Sequence, residues 1–230
     1  LPGPAWAFYL CAIAVSIGIQ WGFAWAVGLV PEGELSLAYA YYGVVPAATL
    51  WLIHHLDGVG STALATFRQL LDAEPATLRR WNYELTVIPA RPALIVVALV
   101  LVSTFPYYFV DPVGSATVGY TLPMYLMRGL WESAIGAIFV ILIYHSIRQL
   151  RLVSRIHERA RQVNLFEPAP LYAFSNLTSR TALGLVLLQV PMVFFVPASE
   201  SAVLITAAWI LPVVLVSAAT GLLAGGAIVG

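Results

Sequence analysis

The chain has 230 residues, of which 60% are hydrophobic and 10% are charged, whereas about 25% of residues are charged in an ordinary soluble domain. This composition excludes a soluble globular domain and predicts an integral membrane protein. The formal net charge is zero, which gives no indication of a nucleic-acid partner. The absence of lysine excludes a retinal Schiff base and a P-loop, and the single cysteine, Cys11, excludes an intrachain disulfide.

Apolar segments long enough to cross a membrane as helices, which takes about 20 residues, recur along the whole chain. They lie at residues 5–30, 37–56, 92–110, 120–147, 177–196 and 202–229. We therefore expect one polytopic domain, residues 1–230, built as an all-helical bundle of about six transmembrane helices. Because the first residue is Leu1 and no basic residue precedes the first apolar segment, we expect a processed chain or a fragment rather than a cleaved signal peptide.

The arginines predict the orientation of the bundle. Ten of the eleven lie in two stretches, residues 54–91 and 148–180, and the three other connections between apolar segments carry none. Because cytoplasmic loops of membrane proteins are enriched in Arg and Lys, we expect both stretches, and with them both termini, on the cytoplasmic side.

The cytoplasmic segment 57–91 predicts two short amphipathic helices that are separated at Pro75. Apolar residues recur at helical spacing on both sides of this proline: Leu64, Phe67 and Leu71 before it, and Leu78, Trp81 and Leu85 after it. Such helices are expected to lie at the membrane surface, with their apolar faces towards the bilayer or the bundle.

The second cytoplasmic segment, 148–176, predicts that the fourth span continues into the cytoplasm as one long helix. Residues 137–167 contain neither Gly nor Pro, and at 1.5 Å per residue the helix would project roughly 25–30 Å beyond the bilayer. Its apolar stripe needs a partner, which is a second subunit, segment 57–91 or a missing domain. The stripe consists of Leu152, Ile156, Ala160 and Val163. Pro168 is expected to end the helix, and the next one is expected to begin near Asn176, with Ser175 as its N-cap.

One ion pair inside an apolar segment is the strongest candidate for a functional site. Arg128 and Glu132 stand four residues apart in the fourth span, and charged residues within spans often mark permeation or ligand sites. The i,i+4 spacing favours a structural pair, in which each charge neutralises the other on one helix face, and a permeation or ligand site is the alternative. Gln20 and Gln189 are polar residues in other spans and are candidates to line the same interior.

Aromatic residues cluster near the outer ends of the second and third spans. They include Tyr41, Tyr42, Tyr107 and Tyr108. The favoured interpretation is an interfacial aromatic belt. The alternative is an outer pocket for an apolar or cationic ligand, because such rings supply contact area and attract cations.

Three histidines lie at the cytoplasmic ends of predicted spans, which raises the hypothesis of a haem or metal site. They are His54, His55 and His145. Their spacing is not specific for a metal, so we interpret them as interfacial residues and expect neither a metal nor another cofactor.

No catalytic motif is present, so we expect a protein that is not an enzyme. Two classes of function remain open, and both place the chain in the cell membrane of a prokaryote. The first is a channel or transporter for an ion or small solute, which acts among membrane lipids as a homo-oligomer or with a membrane-complex partner. The second is a transmembrane sensor or scaffold that relays to a cytoplasmic partner, or a structural subunit of a larger membrane complex.

Overall fold

The computed structural model describes residues 4–71, 73–104, 122–159 and 168–195, and every regular element within these ranges is a helix. A short 3-10 turn, Arg68–Leu70, follows the second α-helix. The α-helices are α1 (Ala5–Ala26), α2 (Leu37–Phe67), α3 (Pro75–Thr86), α4 (Ala90–Thr104), α5 (Leu122–His157) and α6 (Pro168–Phe195).

Among the described residues, three stretches are helical, long and apolar enough to cross a membrane. They are Ala5–Ala26, Pro75–Ser103 and Tyr125–His157. The second stretch contains α3 and α4, and its apolar part is α4, because α3 carries Arg79, Arg80 and Glu84. A helical protein with three candidate spans is compatible with the predicted membrane protein. The sixth predicted segment, 202–229, lies outside the described residues.

Helix α1 ends in a turn that glycine makes possible. Gly28 follows the C-cap Val27 and has a φ of 69°, a left-handed conformation that other residues rarely adopt. The indole nitrogens of Trp21 and Trp25 then donate hydrogen bonds to backbone carbonyls of the connection to α2, at Ser36 (3.1 Å) and Glu34 (2.8 Å). These two tryptophans therefore fix the path of the chain between α1 and α2.

The chain divides into two compact units. Unit 1 consists of Leu1–Trp51 and Pro89–Leu142, and unit 2 consists of Leu52–Ile88 and Ile143–Gly230. In unit 1, α1 and α2 approach closely at Gly43, where a Cβ atom would lie 2.7 Å from the backbone of Ile17. A glycine at this position allows the two helix backbones to meet, as small residues do in membrane proteins.

Unit 2 is built around the second half of α5. Leu152 and Ile156 of α5, Phe67 of α2 and Leu85 of α3 are completely buried. The described part of the apolar stripe on α5 thus has its partner within the same chain. At the edge of this core, Glu84 of α3 forms an ion pair with Arg155 across 3.4 Å.

An aromatic group joins the ends of α2, α5 and α6 in unit 2. The ring centroid of Phe67 lies 4.8 Å from that of His157 and 5.3 Å from that of Phe174. Phe174 is also buried, and its ring lies 5.4 Å from His157. The first part of α6 is therefore packed into the core, where Phe174 precedes Asn176 by two residues.

This packing corrects the predicted start of the fifth span. Helix α6 begins at Pro168 rather than near Asn176, and Ser175 lies inside the helix instead of at its N-cap. The reason is that proline is tolerated in the first turn of a helix, where the missing N–H would have had no helical partner. Pro168 thus begins a helix, and residues 160–167 before it lie outside the described residues.

Candidate functional site

The predicted ion pair is formed in unit 1. The Nε of Arg128 lies 2.8 Å from Oε1 of Glu132, and both residues belong to the part of α5 that is a candidate span. The arginine side chain is 44% exposed and the glutamate side chain 29% exposed. The described helices therefore do not enclose the pair, although they shield the glutamate more than the arginine.

Two other predicted or neighbouring polar residues of unit 1 are described. Tyr42 lies beside the ion pair, and Gln20 lies at the contact between α1 and α2. Tyr42 of α2 is close enough to Arg128 and Glu132 to interact with both charges. Gln20 of α1 is buried and lies three residues after Ile17, on the helix face that meets α2 at Gly43. The ring of Tyr41 lies 6.2 Å from that of Tyr42.

Several of the other predicted site residues fall outside what the structure describes. Tyr107 and Tyr108 lie outside the described residues, and the side chain of Gln189 is not described. The outer aromatic pocket and the contribution of Gln189 therefore stay predictions.

A second polar site, in unit 2, consists of Asp57 of α2 with His145 and Gln149 of α5, and we refer to it as the Asp57 cluster. Oδ1 of Asp57 lies 2.7 Å from Nε2 of His145 and 3.2 Å from Nε2 of Gln149. The Gln149 amide also donates to the backbone carbonyl of Leu85 across 2.8 Å. Three helices are thus joined through one carboxylate, one imidazole and one amide.

The three side chains of the Asp57 cluster differ in their exposure to solvent. The side chains of His145 and Gln149 are buried, whereas the side chain of Asp57 is 20% exposed. Within the described residues, Nδ1 of His145 and Oε1 of Gln149 are buried without a hydrogen-bond partner. Buried polar atoms of this kind are uncommon, because a buried group that loses its hydrogen bonds to water normally gains others in the protein.

Two arginines hold the backbone and side chains next to the cluster. Arg148 of α5 donates a hydrogen bond from Nη1 to the carbonyl of Val87, just after α3. Arg180 of α6 donates from Nη1 to Nε2 of His55 across 3.1 Å and from Nε to Oδ1 of Asn176 across 3.0 Å. These arginines bind their own chain, which orders the helices around the Asp57 cluster.

The three histidines that raised the haem or metal hypothesis have different surroundings. His54 is exposed, His55 is half-buried against Arg180 and His145 is bonded to Asp57. Among the described residues, no group of three or more His, Cys, Asp or Glu side chains is placed to hold a metal ion.

The Asp57 cluster was not predicted as a site. Its histidine was named as a metal candidate, but its bond to Asp57 joins residues 88 positions apart, a pairing that helical periodicity cannot reveal. One local signal was available, since His145 and Gln149 stand four residues apart and therefore share a helix face. Polar residues at this spacing within an apolar segment indicate a buried partner on a neighbouring helix.

Comparison of the chain with known protein families, curated proteins and solved structures finds no match.

Proposed function

We propose that this chain moves an ion or a small polar solute across a membrane, with Arg128 and Glu132 as the charged part of the path. The observation that supports this proposal is the ion pair in a helix that is apolar and long enough to span the bilayer. Tyr42 stands beside the pair, and Gln20 and Gln189 are proposed to line the same path.

A charge inside an apolar segment is a candidate for a functional site, because one charged side chain at the centre of a membrane costs about 2.5–3.5 kcal/mol. Pairing of Arg128 with Glu132 lowers this cost whether the pair is structural or functional. The flux experiment below therefore distinguishes the two interpretations.

The membrane arrangement is part of the proposal. We propose six spans with both termini in the cytoplasm of a prokaryotic cell, in the cell membrane, and an assembly of several copies. The distribution of the arginines supports the orientation, because ten of eleven lie in residues 54–91 and 148–180. Glycines near the end of the chain, at positions 221, 225 and 226, have the spacing of close helix contacts and support an assembly.

The test is flux through liposomes that contain the purified chain. Fluorescent dyes would follow protons, potassium and chloride for the native chain and for the double variant Arg128→Leu, Glu132→Gln. We expect flux in the native chain and its loss in the double variant. A matched control is Arg80→Leu, because Arg80 and Glu84 form an ion pair of the same spacing and nearly the same length, 2.9 Å, on the polar helix α3.

Two outcomes would contradict the proposal. The first is a folded native chain that conducts none of these ions and none of a panel of small polar solutes. The second is a double variant that keeps the native flux, which would reduce the ion pair to a structural feature. In the structural case, each single replacement should destabilise the fold more than the double one, because one charge is left without its partner.

A further inference from the structure

The hydrogen bonds of the Asp57 cluster determine which ring nitrogen of His145 carries a proton. Nε2 of Gln149 has two N–H groups, and they have two acceptors, the carbonyl of Leu85 at 2.8 Å and Oδ1 of Asp57 at 3.2 Å. The nitrogen of Gln149 also lies 3.0 Å from Nε2 of His145, so the distances of Gln149 alone do not decide which group accepts its second N–H. The contact with Asp57 decides, because a lone pair on Nε2 would face the carboxylate oxygen across 2.7 Å.

It follows that Nε2 of His145 is itself a donor. Its only acceptor among the described contacts is Oδ1 of Asp57 at 2.7 Å, a short distance that is typical of a bond to a charged acceptor. In the neutral imidazole one nitrogen carries the hydrogen and the other has a lone pair. The lone pair is then on Nδ1, the atom that is buried without a hydrogen-bond partner in the described part of the chain.

We propose that His145 is a proton-binding site, in which Nδ1 accepts a proton and the carboxylate of Asp57 balances the positive charge of the imidazolium. Nδ1 gains the proton, Nε2 keeps its own, and the hydrogen bond to Asp57 becomes an ion pair. No other bond forms or breaks. The proton comes from the solvent, and the carboxylate of Asp57 keeps its hydrogen bond to Nε2 throughout.

The other charged groups on the surrounding helices are engaged elsewhere, so Asp57 is the group that balances the positive charge of a protonated His145. On α2, His54 is exposed, and Nε2 of His55 accepts a hydrogen bond from Arg180 of α6. On α3, Glu84 is engaged by Arg80 at 2.9 Å and by Arg155 at 3.4 Å.

On α5 itself, Arg148 is the nearest positive charge in sequence, and it is directed to the carbonyl of Val87. Within the described residues, the carboxylate that contacts His145 is that of Asp57. Replacing this carboxylate by an amide should therefore remove most of the stabilisation of the imidazolium.

The experiment is solid-state nitrogen NMR of the full chain, labelled with ¹⁵N-histidine, in lipid bilayers at a series of pH values. At neutral pH we expect Nε2 of His145 to be protonated and Nδ1 to be bare, and we expect Nδ1 to become protonated on acidification. His157 is a built-in control, because its Nδ1 lies 2.9 Å from the carbonyl of Val153 and so must carry the proton instead. The signals are assigned by replacing the other histidines one at a time, so the test does not depend on a His145 variant that folds.

The decisive variant is Asp57→Asn, which keeps the size of the side chain. We expect protonation of Nδ1 in this variant to require a proton concentration at least about tenfold higher, because a nearby opposite charge favours the charged form by that amount or more. The His157 signals should stay the same. A bare Nε2 on His145 in the native chain, or an unchanged titration in Asp57→Asn, would overturn the proposal.

The outcome is independent of the proposed transport function, since the titration is read on His145 itself. A native chain that shows this titration but no flux would keep the proton site and reject transport. A chain that conducts ions but whose His145 does not take up a proton would keep the transport proposal and reject the proton site.

Discussion

The two compact units are packed in different ways. In α1, which belongs to unit 1, the described buried residues are Gln20 and Ala24, and α1 and α2 meet through the backbone at Gly43. Unit 2 buries more large side chains completely, including Phe67, Leu152 and Ile156, whereas Leu142 is such a residue in the described part of unit 1. It also contains hydrogen bonds between residues far apart in sequence.

The two kinds of packing suit different surroundings. Lipid tails are as apolar as leucine, so packing a leucine against another helix in the membrane gains little, and close approach of small residues matters more. Where water surrounds the helices, removal of apolar surface from water is the main stabilising force. The contact at Gly43 is of the first kind, and the buried side chains around α3 are of the second kind.

The largest effect should come from the core of unit 2. Leu152→Ala is expected to lower the free energy of unfolding by about 2–5 kcal/mol, because it leaves a cavity at a completely buried position. Urea unfolding in detergent micelles, followed by tryptophan fluorescence, would measure the loss. The control is Arg151→Ala at the exposed neighbouring position, expected to change stability by less than about 0.5 kcal/mol. Equal effects of the two replacements would contradict the described core.

Gly43→Ala tests the packing of unit 1. The new Cβ would lie 2.7 Å from the backbone of Ile17, and backbone cannot move aside as a side chain can, so we expect a loss of about 1–3 kcal/mol. Gly58→Ala in the same helix is the control, since no atom lies within 4 Å of its Cβ position. There alanine should stabilise the helix by up to about 1 kcal/mol. Thermal unfolding that shows no difference between the two variants would rule out the close contact.

Gln149→Leu tests the polar part of unit 2. The replacement leaves the carbonyl of Leu85 without the amide that it accepts from, and a buried acceptor in this state costs about 1–3 kcal/mol. Gln69→Leu, at an exposed position of the 3-10 turn, should be nearly neutral. A Gln149→Leu variant as stable as the native chain would mean that the amide does not join α3 to α5.

The smallest effect is expected for Arg80→Ala. This side chain is 78% exposed, so the loss of its ion pair should cost no more than about 0.5 kcal/mol and should vanish in high salt. Arg128→Ala, at the ion pair of the same spacing in α5, should cost more stability in bilayers and depend less on salt, because it removes the positive charge that balances Glu132 in an apolar segment. Chemical unfolding at two salt concentrations would compare them, and identical responses would place both pairs in water.

The sequence predicted the local features of the fold well. Apolar content and length predicted a helical membrane protein, and the spacing of Trp81 and Leu85 predicted the buried face of α3. Helix α3 begins at Pro75 as expected, but the predicted short helix before it is wrong, because Leu64 and Phe67 lie at the end of the long helix α2. The i,i+4 pair of Arg128 and Glu132 is also formed, because such a pair depends on one helix alone.

Predictions that depended on tertiary packing were less successful. The apolar stripe of α5 had three possible partners, and for Leu152 and Ile156 the partner is the chain itself, while Ala160 and Val163 lie outside the described residues. The helix of the fourth span was expected to run to Pro168, but α5 ends at His157 and Pro168 begins α6. Helical rules alone do not distinguish a proline that ends a helix from one that begins it.

The distance in sequence between the members of the Asp57 cluster has a consequence for biosynthesis. Asp57 leaves the ribosome 88 residues before His145 and 92 before Gln149, an interval of roughly 4–20 seconds at about 5–20 residues per second. During that interval the carboxylate has neither of these partners, and the hydrogen bonds of the cluster form only after α5 has been synthesised.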